Sequence, residues 1–350
     1  MKILYGVQGT GNGHISRARA IASELEKTNV EVDFLFSGRA QNGYFAMESF
    51  GDFSLRQGLS FVTHKGRVSY ARTALNNNPL RFVSEACSLD LKDYDLVLND
   101  FEPVSAWAAK YQGVPCIGVS HQNAFRYDVP KATFGLVDRA VIHQFAPCDF
   151  ELGLHWYHYD QPILPPIISH STEQSPEFGE AFLVYLPFEL LGHITRLLTR
   201  FDGVQFVCYH PGIESEYQSE NVLYKPLSLQ GFKQDLAHCR GVICNGGFEL
   251  PSEALALGKK LLLKPLKGQF EQQSNVATLE ALGLATTMQH LDSSIMSQWV
   301  KEDLGEPVYY PNVAQDIVQW LLKANWSNQN ELVDSLWSRV VFPSYVELSA

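Results

Sequence analysis

Short apolar runs alternate with longer helix-like stretches along most of this chain. In the first half, the runs that predict strands are Ile3–Val7, Val30–Phe36, Leu96–Leu98 and Cys116–Val119. Stretches such as Ile15–Lys27 and Pro103–Gln112 lie between them and predict helices. Alternating strands and helices are typical of βαβ units that build a parallel sheet. The pattern therefore predicts an α/β fold whose first half is Rossmann-like.

The same alternation resumes in the second half and predicts a second Rossmann-like unit. Its predicted strands are Ala181–Leu186, Val204–Tyr209, Val222–Tyr224, Gly241–Cys244 and Lys260–Leu263. Its predicted helices are Leu190–Arg200, Phe232–Cys239, Pro251–Leu257 and Phe270–Leu282. Two amphipathic helices, Val313–Ala324 and Gln329–Trp337, follow near the end.

A break in the alternation sets the domain boundaries. Prolines, serines and threonines concentrate between residues 161 and 177, which is typical of an ordered linker. We therefore predict a first domain at 1–160, a linker at 161–177 and a second domain at 178–325. The tail at 326–350 carries tryptophans that need an apolar surface, and packing back on the first domain would supply one.

Composition narrows the class of protein further. The 350 residues carry a net charge of −11, which argues against a protein-wide surface for nucleic acid. The six cysteines form no Cys-x-x-Cys pair, as expected of free thiols in a reducing compartment. The start of the chain has no long apolar segment, and the longest apolar run, Ala181–Phe188, is far shorter than the ~20 residues that span a bilayer. We expect a cytoplasmic protein, with peripheral contact at the inner face of the membrane left open.

A glycine-rich turn follows the first predicted strand and contains Gly11, Asn12, Gly13 and His14. Backbone N–H groups at the start of the next helix suit a phosphate or another anion, so this loop is a candidate phosphate or acceptor site. His14 stands where the dinucleotide fingerprint requires a glycine, and no Lys-Ser/Thr pair follows as in a P-loop. At this edge of a parallel sheet His14 could act as a general base, or it could only cap the helix.

A second cluster of candidate residues follows the strand at 241–244. Asn245, Gly246, Gly247 and Phe248 lead into a predicted helix that contains Glu253. The two glycines allow a diphosphate to approach the start of that helix, and Glu253 could accept hydrogen bonds from ribose hydroxyls. Further along, Glu271 and Gln272 begin another helix and could bind a sugar ring in the same way.

These two clusters resemble the GT-B fold nucleotide-sugar glycosyltransferases. The chain is similar to the UDP-glycosyltransferase superfamily and to the bacterial N-acetylglucosaminyltransferase that makes lipid II, and it most resembles an uncharacterised bacterial and archaeal family of such enzymes. The resemblance implies two Rossmann-like domains facing across a cleft, with the acceptor on the first domain and a nucleotide sugar, UDP-linked, on the second. It also implies an enzyme that needs no cofactor and no metal.

The resemblance assigns roles to individual residues. It implies a catalytic base at His14, a ribose-binding carboxylate at Glu253 and hexose contacts at Glu271 and Gln272. An aspartate that orients the histidine matches Asp100. From the residues alone, Glu102 competes for that role, and Asp100 could instead be a helix N-cap.

Two departures from related patterns affect the chemistry. Retaining GT-B enzymes carry a Glu-x7-Glu pair, but eight residues before Glu253 this chain has Asn245, which favours inversion by direct displacement. The family usually has Asp-Gln where this chain has Glu271-Gln272, so the hexose stays open. Alternative functions are a UDP-N-acetylglucosamine 2-epimerase-like enzyme and a non-catalytic nucleotide-sugar-binding protein.

Three further groups of residues are candidate sites. Asp93-Tyr94-Asp95 and His155-Trp-Tyr-His158 have spacings that suit a metal, but a solvated turn is the favoured interpretation of the first and a surface or interdomain role that of the second. The segment from Phe53 to Ser84 contains five Lys and Arg residues, Arg67 and Arg72 among them, and no Asp, and Arg67 and Arg72 are candidates to contact an anionic acceptor. A lipid-linked or polymeric glycan of the cell envelope would fit that chemistry.

Overall fold

The computed structural model describes residues 1–44, 46–60, 63–64, 67–68, 77–133, 135–168, 179–346 and 348, with only the backbone at 63–64 and 67–68. Two seven-stranded sheets, each covered by helices, form two domains. Within these two sheets, every described pair of neighbouring strands is parallel except one at the edge of the second sheet. The predicted α/β class and its two Rossmann-like halves are confirmed.

The first sheet has the strand order β3-β2-β1-β6-β7-β8-β9. Its strands are β1 Lys2–Gln8, β2 Glu31–Ser37, β3 Phe53–Leu55, β6 Leu96–Asp100, β7 Cys116–Ser120, β8 Phe150–Leu154 and β9 Ile163–Leu164. A separate antiparallel pair joins β4 Thr63–His64 and β5 Arg67–Val68. The helices are α1 Asn12–Leu25, α2 Pro79–Ser88, α3 Pro103–Gln112, α4 His121–Ala124 and α5 Leu136–Gln144, and 3-10 turns span Gln41–Gly43 and Glu48–Phe50.

The second sheet has the strand order β12-β13-β11-β10-β14-β15-β16. Its strands are β10 Phe182–Tyr185, β11 Phe206–Tyr209, β12 Tyr217–Ser219, β13 Val222–Lys225, β14 Gly241–Asn245, β15 Lys260–Lys264 and β16 Thr286–Thr287. The helices are α6 Leu191–Leu198, α7 Leu229–His238, α8 Glu249–Ala256, α9 Phe270–Ala281, α10 Ser293–Trp299, α11 Val313–Leu322 and α12 Asn330–Trp337.

The continuous apolar runs are explained by burial on both faces of each sheet. In β1, Ile3 and Tyr5 pack in one core with Ile15 of α1, whereas Leu4 between them packs in another core with Ala106 of α3. A strand with helices on both faces needs apolar residues at every position rather than at every second one. The nine strands that the sequence analysis named therefore agree with the structure to within one or two residues, whereas β3, β8, β9, β12 and β16 were not predicted.

The first sheet extends beyond residue 160, into the segment predicted as a linker. Ile163 and Leu164 form β9, which pairs in parallel with β8. A strand of two residues among prolines has no periodicity from which to predict it. Residues 169–178, which include most of that predicted linker, lie outside the described residues.

The C-terminal helices return to the first domain before residue 326. The Asn312 side chain, at the start of α11, donates a 2.8 Å hydrogen bond to Glu24 of α1. Trp337, at the end of α12, donates one of 2.7 Å to the backbone oxygen of Ile163. The tail therefore ties the second domain to both α1 and the edge of the first sheet. Within the described residues, no helix combines the length and apolar character that crossing a bilayer requires.

The two glycines after β14 differ in the space around them, and this generates a stability prediction. A Cβ at Gly246 would lie 2.6 Å from Val276 Cγ2 and 2.7 Å from the Gln272 backbone oxygen, both on α9. A Cβ at Gly247 would meet nothing within 4 Å. Gly246 is thus required by close packing of the turn on α9, and Gly247 is not.

We expect Gly246→Ala to lower the free energy of unfolding by about 1–3 kcal/mol, because the added methyl must displace packed backbone. Gly247→Ala is the matched control and should stay within about 0.5 kcal/mol of the parent. Urea unfolding of both variants measures the difference. Equal stabilities would contradict the packing described here.

Candidate active site

A cleft of about 620 Å³ lies between the two domains. Parallel sheets of this kind bind ligands at the carboxyl ends of their strands, and the cleft is bounded by the segments that follow β1, β6, β10, β14 and β15. Both glycine-containing turns predicted from the sequence contribute to its walls. Gly11, Asn12, Gly13 and His14 line one side, and Asn245, Gly247 and Phe248 line the other.

His14 and Asp100 lie in contact at the first-domain wall. His14 is in the first turn of α1, and Asp100 ends β6, which pairs directly with β1. The His14 Nδ1 atom is 2.8 Å from Asp100 Oδ1. The His14 side chain keeps 14% of its surface exposed, on the cleft, while Asp100 has none. The paired strands therefore bring together two residues that are 86 positions apart.

Glu102, the competing partner for His14, has a different role. Its carboxylate accepts hydrogen bonds from the Val104 and Ser105 N–H groups and from the Ser37 hydroxyl, so it is the N-cap of α3. Asp100 is consequently not the cap of that helix. Burial raises the pKa of Glu102, which the surrounding donors partly oppose.

Arg17 holds Asp100 in place, and the sequence analysis did not identify it. Its Nε and Nη2 atoms donate to the two Asp100 oxygens at 2.8 and 2.7 Å, and its Nη1 atom donates to Glu249 of α8. Arg17 is only 2% exposed. The signal in the sequence was its position three residues after His14, among Ile15, Ala18 and Ile21 on the buried face of α1.

The charges in this group determine its protonation. Burial alone would raise the pKa of Asp100, but the charges of Arg17 and His14 hold it below its ordinary value. Asp100 Oδ1 and Arg17 Nη2 both contact His14 Nδ1, at 2.8 and 3.0 Å, so Nε2 is the ring nitrogen that is left for a ligand in the cleft. One guanidinium cannot balance two carboxylates in a buried site, and burial raises the pKa of Glu249 to about 8.

The backbone is strained next to Asp100. Phe101 has a φ of 53°, which side chains other than glycine rarely adopt. Its ring stacks on Phe145 at 5.0 Å between centroids, and both rings line the cleft. Backbone strain of this kind is often found at functional sites.

The second-domain residues predicted to bind the donor lie at or beside the cleft, and several also contact the first domain. Glu253 accepts a 3.1 Å hydrogen bond from Ser16, and Glu271 accepts one of 3.1 Å from Gln122. Phe248 stacks on His121 with centroids 3.9 Å apart. Gly246 lies under the turn against α9 rather than on the cleft wall.

Asn245 and Gln272 are positioned by backbone groups at the end of β15 and in the loop that follows it. Asn245 Nδ2 donates to the Lys264 oxygen at 2.9 Å, and Gln272 Oε1 accepts from Leu266 N at 2.9 Å. The Asn245 Oδ1 atom, buried at the cleft, has no hydrogen-bond partner among the described residues. This oxygen is a free acceptor beside Gly247.

The candidate metal-binding groups at residues 93–95 and 155–158 do not line the cleft. Asp95 accepts from Lys2 N at 2.7 Å, while the Nδ1 atoms of His155 and His158 accept from the backbone of Trp156 and Asp160. In the described part of the chain, no three His, Cys, Asp or Glu residues group as metal ligands would. The Arg67 side chain and all of Arg72 lie outside the described residues, so their contact with an acceptor stays a prediction.

Comparison with known proteins identifies the family. A family model described as glycosyl transferase family 1 matches residues 1–302. The chain belongs to this family and is a glycosyltransferase. No curated protein sequence matches the chain.

Solved structures match nearly the whole chain. The glycosyltransferase of kitacinnamycin is 13% identical with a TM-score of 0.58, and the match covers 97% of this chain and 99% of that one. UGT89C1 from Arabidopsis thaliana, complexed with UDP, is 13% identical with a TM-score of 0.60, over 96% and 99%. SsfS6 from Streptomyces sp. SF2575, complexed with thymidine diphosphate, is 14% identical with a TM-score of 0.57, over 93% and 100%. The predicted GT-B fold is confirmed.

The raised pKa of Glu249 generates a prediction about stability and pH. Because the folded protein holds this proton more tightly than the unfolded chain, stability from this group falls as pH rises from about 4.5 towards 8. Glu249→Gln mimics the protonated form at every pH. We therefore expect the difference in melting temperature, Glu249→Gln minus parent, to increase as the pH is raised from 5 to 8.5.

The Glu331→Gln variant, at an exposed position on α12, is the control for removing one carboxylate from the protein without touching the buried group around Arg17. Parallel melting curves for the parent and Glu249→Gln across this pH range would contradict the assignment of the proton to Glu249.

Proposed function

We propose that this glycosyltransferase moves a hexose from a nucleoside diphosphate sugar, UDP-linked, to an acceptor hydroxyl, with inversion and without a metal. The observation that carries the proposal is the His14–Asp100 pair on one wall of the cleft, opposite the Gly247 turn and the start of α8. A base and an anion-binding helix terminus facing each other are what a displacement with a diphosphate leaving group needs.

Donor binding is proposed for the second-domain wall. Gly247 is open to the cleft, and α8 begins two residues later with N–H groups that suit a diphosphate. Asn245 Oδ1 is an unpaired acceptor beside it. Glu253 lies one turn along α8 for the ribose, and Glu271 and Gln272 lie at the start of α9 for the hexose.

The nucleotide is inferred from the neighbours with the same fold. Two similar structures are complexes with UDP and with thymidine diphosphate. Both ligands are pyrimidine nucleoside diphosphates, the leaving group that the proposed reaction releases. UDP is the choice favoured by the sequence resemblance.

In the proposed reaction, His14 Nε2 accepts the proton of the acceptor hydroxyl while its oxygen attacks the anomeric carbon. The bond from that carbon to the diphosphate oxygen breaks, and the nucleoside diphosphate leaves towards the start of α8. Asp100 stabilises the imidazolium that forms. Asn245, with its amide bonded to Lys264, stands where a retaining enzyme has a carboxylate, so a single displacement is favoured.

The acceptor is proposed to carry an apolar part. The first-domain wall beside His14 is formed by side chains of α5 and the residue after Asp100, namely Phe101, Val137, Val141, Ile142 and Phe145. Val137 is 58% exposed, and together with these apolar neighbours it forms a surface at the cleft that an apolar partner can cover. An aromatic or acyl portion of the acceptor would cover this wall.

Donor binding is tested by thermal shift without added metal. A ligand that binds only the folded protein stabilises it by RT ln(1 + [L]/Kd), about 2.7 kcal/mol at a hundredfold excess over Kd. We expect UDP or a UDP-sugar to raise the melting temperature of the parent and of His14→Gln, and Glu253→Ala to lose the shift. A shift by NAD(P) alone, or an undiminished shift in Glu253→Ala, would overturn the donor site.

Catalysis by His14 is tested by turnover of the stabilising nucleotide sugar with an acceptor panel. We expect His14→Gln to lower kcat by about 10²–10⁴-fold, since general base catalysis contributes that much. His238→Gln, at an exposed histidine on α7, is the control and should keep full activity. Full activity of His14→Gln would refute the role of the base, and conversion of the donor to its epimer without an acceptor would indicate the epimerase alternative.

A further inference from the structure

A second cavity of about 770 Å³ lies on the second domain. It is bounded by α6, the loop after β15, the first turns of α9 and the segment before α10. Polar and basic side chains in its lining include His193, Arg196, Arg200, Lys264, Lys267 and Gln273. Among the described residues, none that lines this cavity also lines the cleft.

The basic wall of this cavity follows from the amphipathic pattern of α6. Ile194, Leu197 and Leu198 are buried against the sheet. His193 and Arg196, three residues apart on α6, are exposed on the other face, and Arg200 is exposed two residues after the helix ends. All three basic side chains line the cavity.

The positive charge of the cavity is largely uncompensated. Glu189 is the acidic residue in its lining, and its carboxylate pairs with Lys264 at 2.5 Å. In the described part of the chain, Arg196, Arg200 and Lys267 have no carboxylate partner, and the Arg196 Nε atom is bonded only to the Gly192 backbone. Three unpaired cations converge on one concavity of a chain whose net charge is −11.

The first turn of α9 separates this cavity from the cleft. Glu271 and Gln272 face the cleft, whereas Gln273 faces the cavity. Lys264, on the cavity side, also accepts the Asn245 hydrogen bond through its backbone oxygen. The cavity is thus adjacent to the proposed donor site but is lined by different residues.

We propose that this cavity binds an anion bearing phosphate groups. Two guanidinium groups and a lysine line one concavity, and arginine binds phosphate oxygens with paired N–H donors. The same chemistry occurs in a free diphosphate and in a phospholipid headgroup. Leu190, directly before α6, is 55% exposed and is an apolar side chain that contact with a lipid surface could bury.

The test uses inorganic pyrophosphate as the probe, titrated calorimetrically into protein saturated with UDP so that the cleft is occupied. We expect Arg196→Gln/Arg200→Gln to weaken binding by about tenfold or more, because two charge-assisted contacts are lost. Lys301→Gln/Lys323→Gln removes the same charge from exposed positions elsewhere and should leave the affinity unchanged. The melting temperatures of both variants without ligand verify that they fold.

A second arm distinguishes the two sources of phosphate. Sedimentation with phosphatidylcholine vesicles, with and without phosphatidic acid, is measured at physiological ionic strength. Binding to the acidic vesicles that Arg196→Gln/Arg200→Gln abolishes supports a headgroup, and pyrophosphate binding alone supports a free anion. The proposal would be overturned if Arg196→Gln/Arg200→Gln bound pyrophosphate and acidic vesicles as tightly as the parent does. It would also be overturned if Lys301→Gln/Lys323→Gln lost as much affinity as the arginine variant.

Discussion

The site depends on one buried guanidinium placed between two carboxylates from different domains. Arg17 donates to both oxygens of Asp100 in the first domain and to Glu249 in the second. Removing one partner from a buried ion pair leaves an uncompensated charge and costs about 3–5 kcal/mol. The orientation of His14 is therefore linked, through Asp100 and Arg17, to the position of the second domain. The His14–Asp100 pair and the contact between the domains are therefore parts of one hydrogen-bonded group.

The residues proposed to bind the donor sugar also contact the first domain. Glu253 and Glu271 each accept a hydrogen bond across the domain boundary, from Ser16 and Gln122. In the proposed reaction these carboxylates bind ribose and hexose hydroxyls, which are donors of the same kind as Ser16. A sugar that binds there would replace or share contacts that now join the domains, so donor binding and domain contact use the same oxygens.

Much of the fold could be predicted because its strands are buried on both faces and read as continuous apolar runs. The two glycine turns and His14 could be located because they directly follow such strands, at the edge where parallel sheets bind ligands. Arg17 was missed, since its position on the buried face of α1 indicates only that it needs a partner, and one of its partners, Glu249, is 232 residues away. Edge strands such as Ile163–Leu164 are too short to show a period. The choice between Asp100 and Glu102 also required the register of β6 against β1.

The most direct test of the account is the anomeric configuration of the sugar as it is first released. With water as the acceptor, slow hydrolysis of the donor can be followed by proton NMR before the anomers equilibrate, so the natural acceptor need not be known. Displacement assisted by His14 predicts a product with the opposite configuration to the donor. Release with the donor's own configuration would require a second displacement or a front-side attack, and would contradict the assignment of His14 as the base of an inverting reaction.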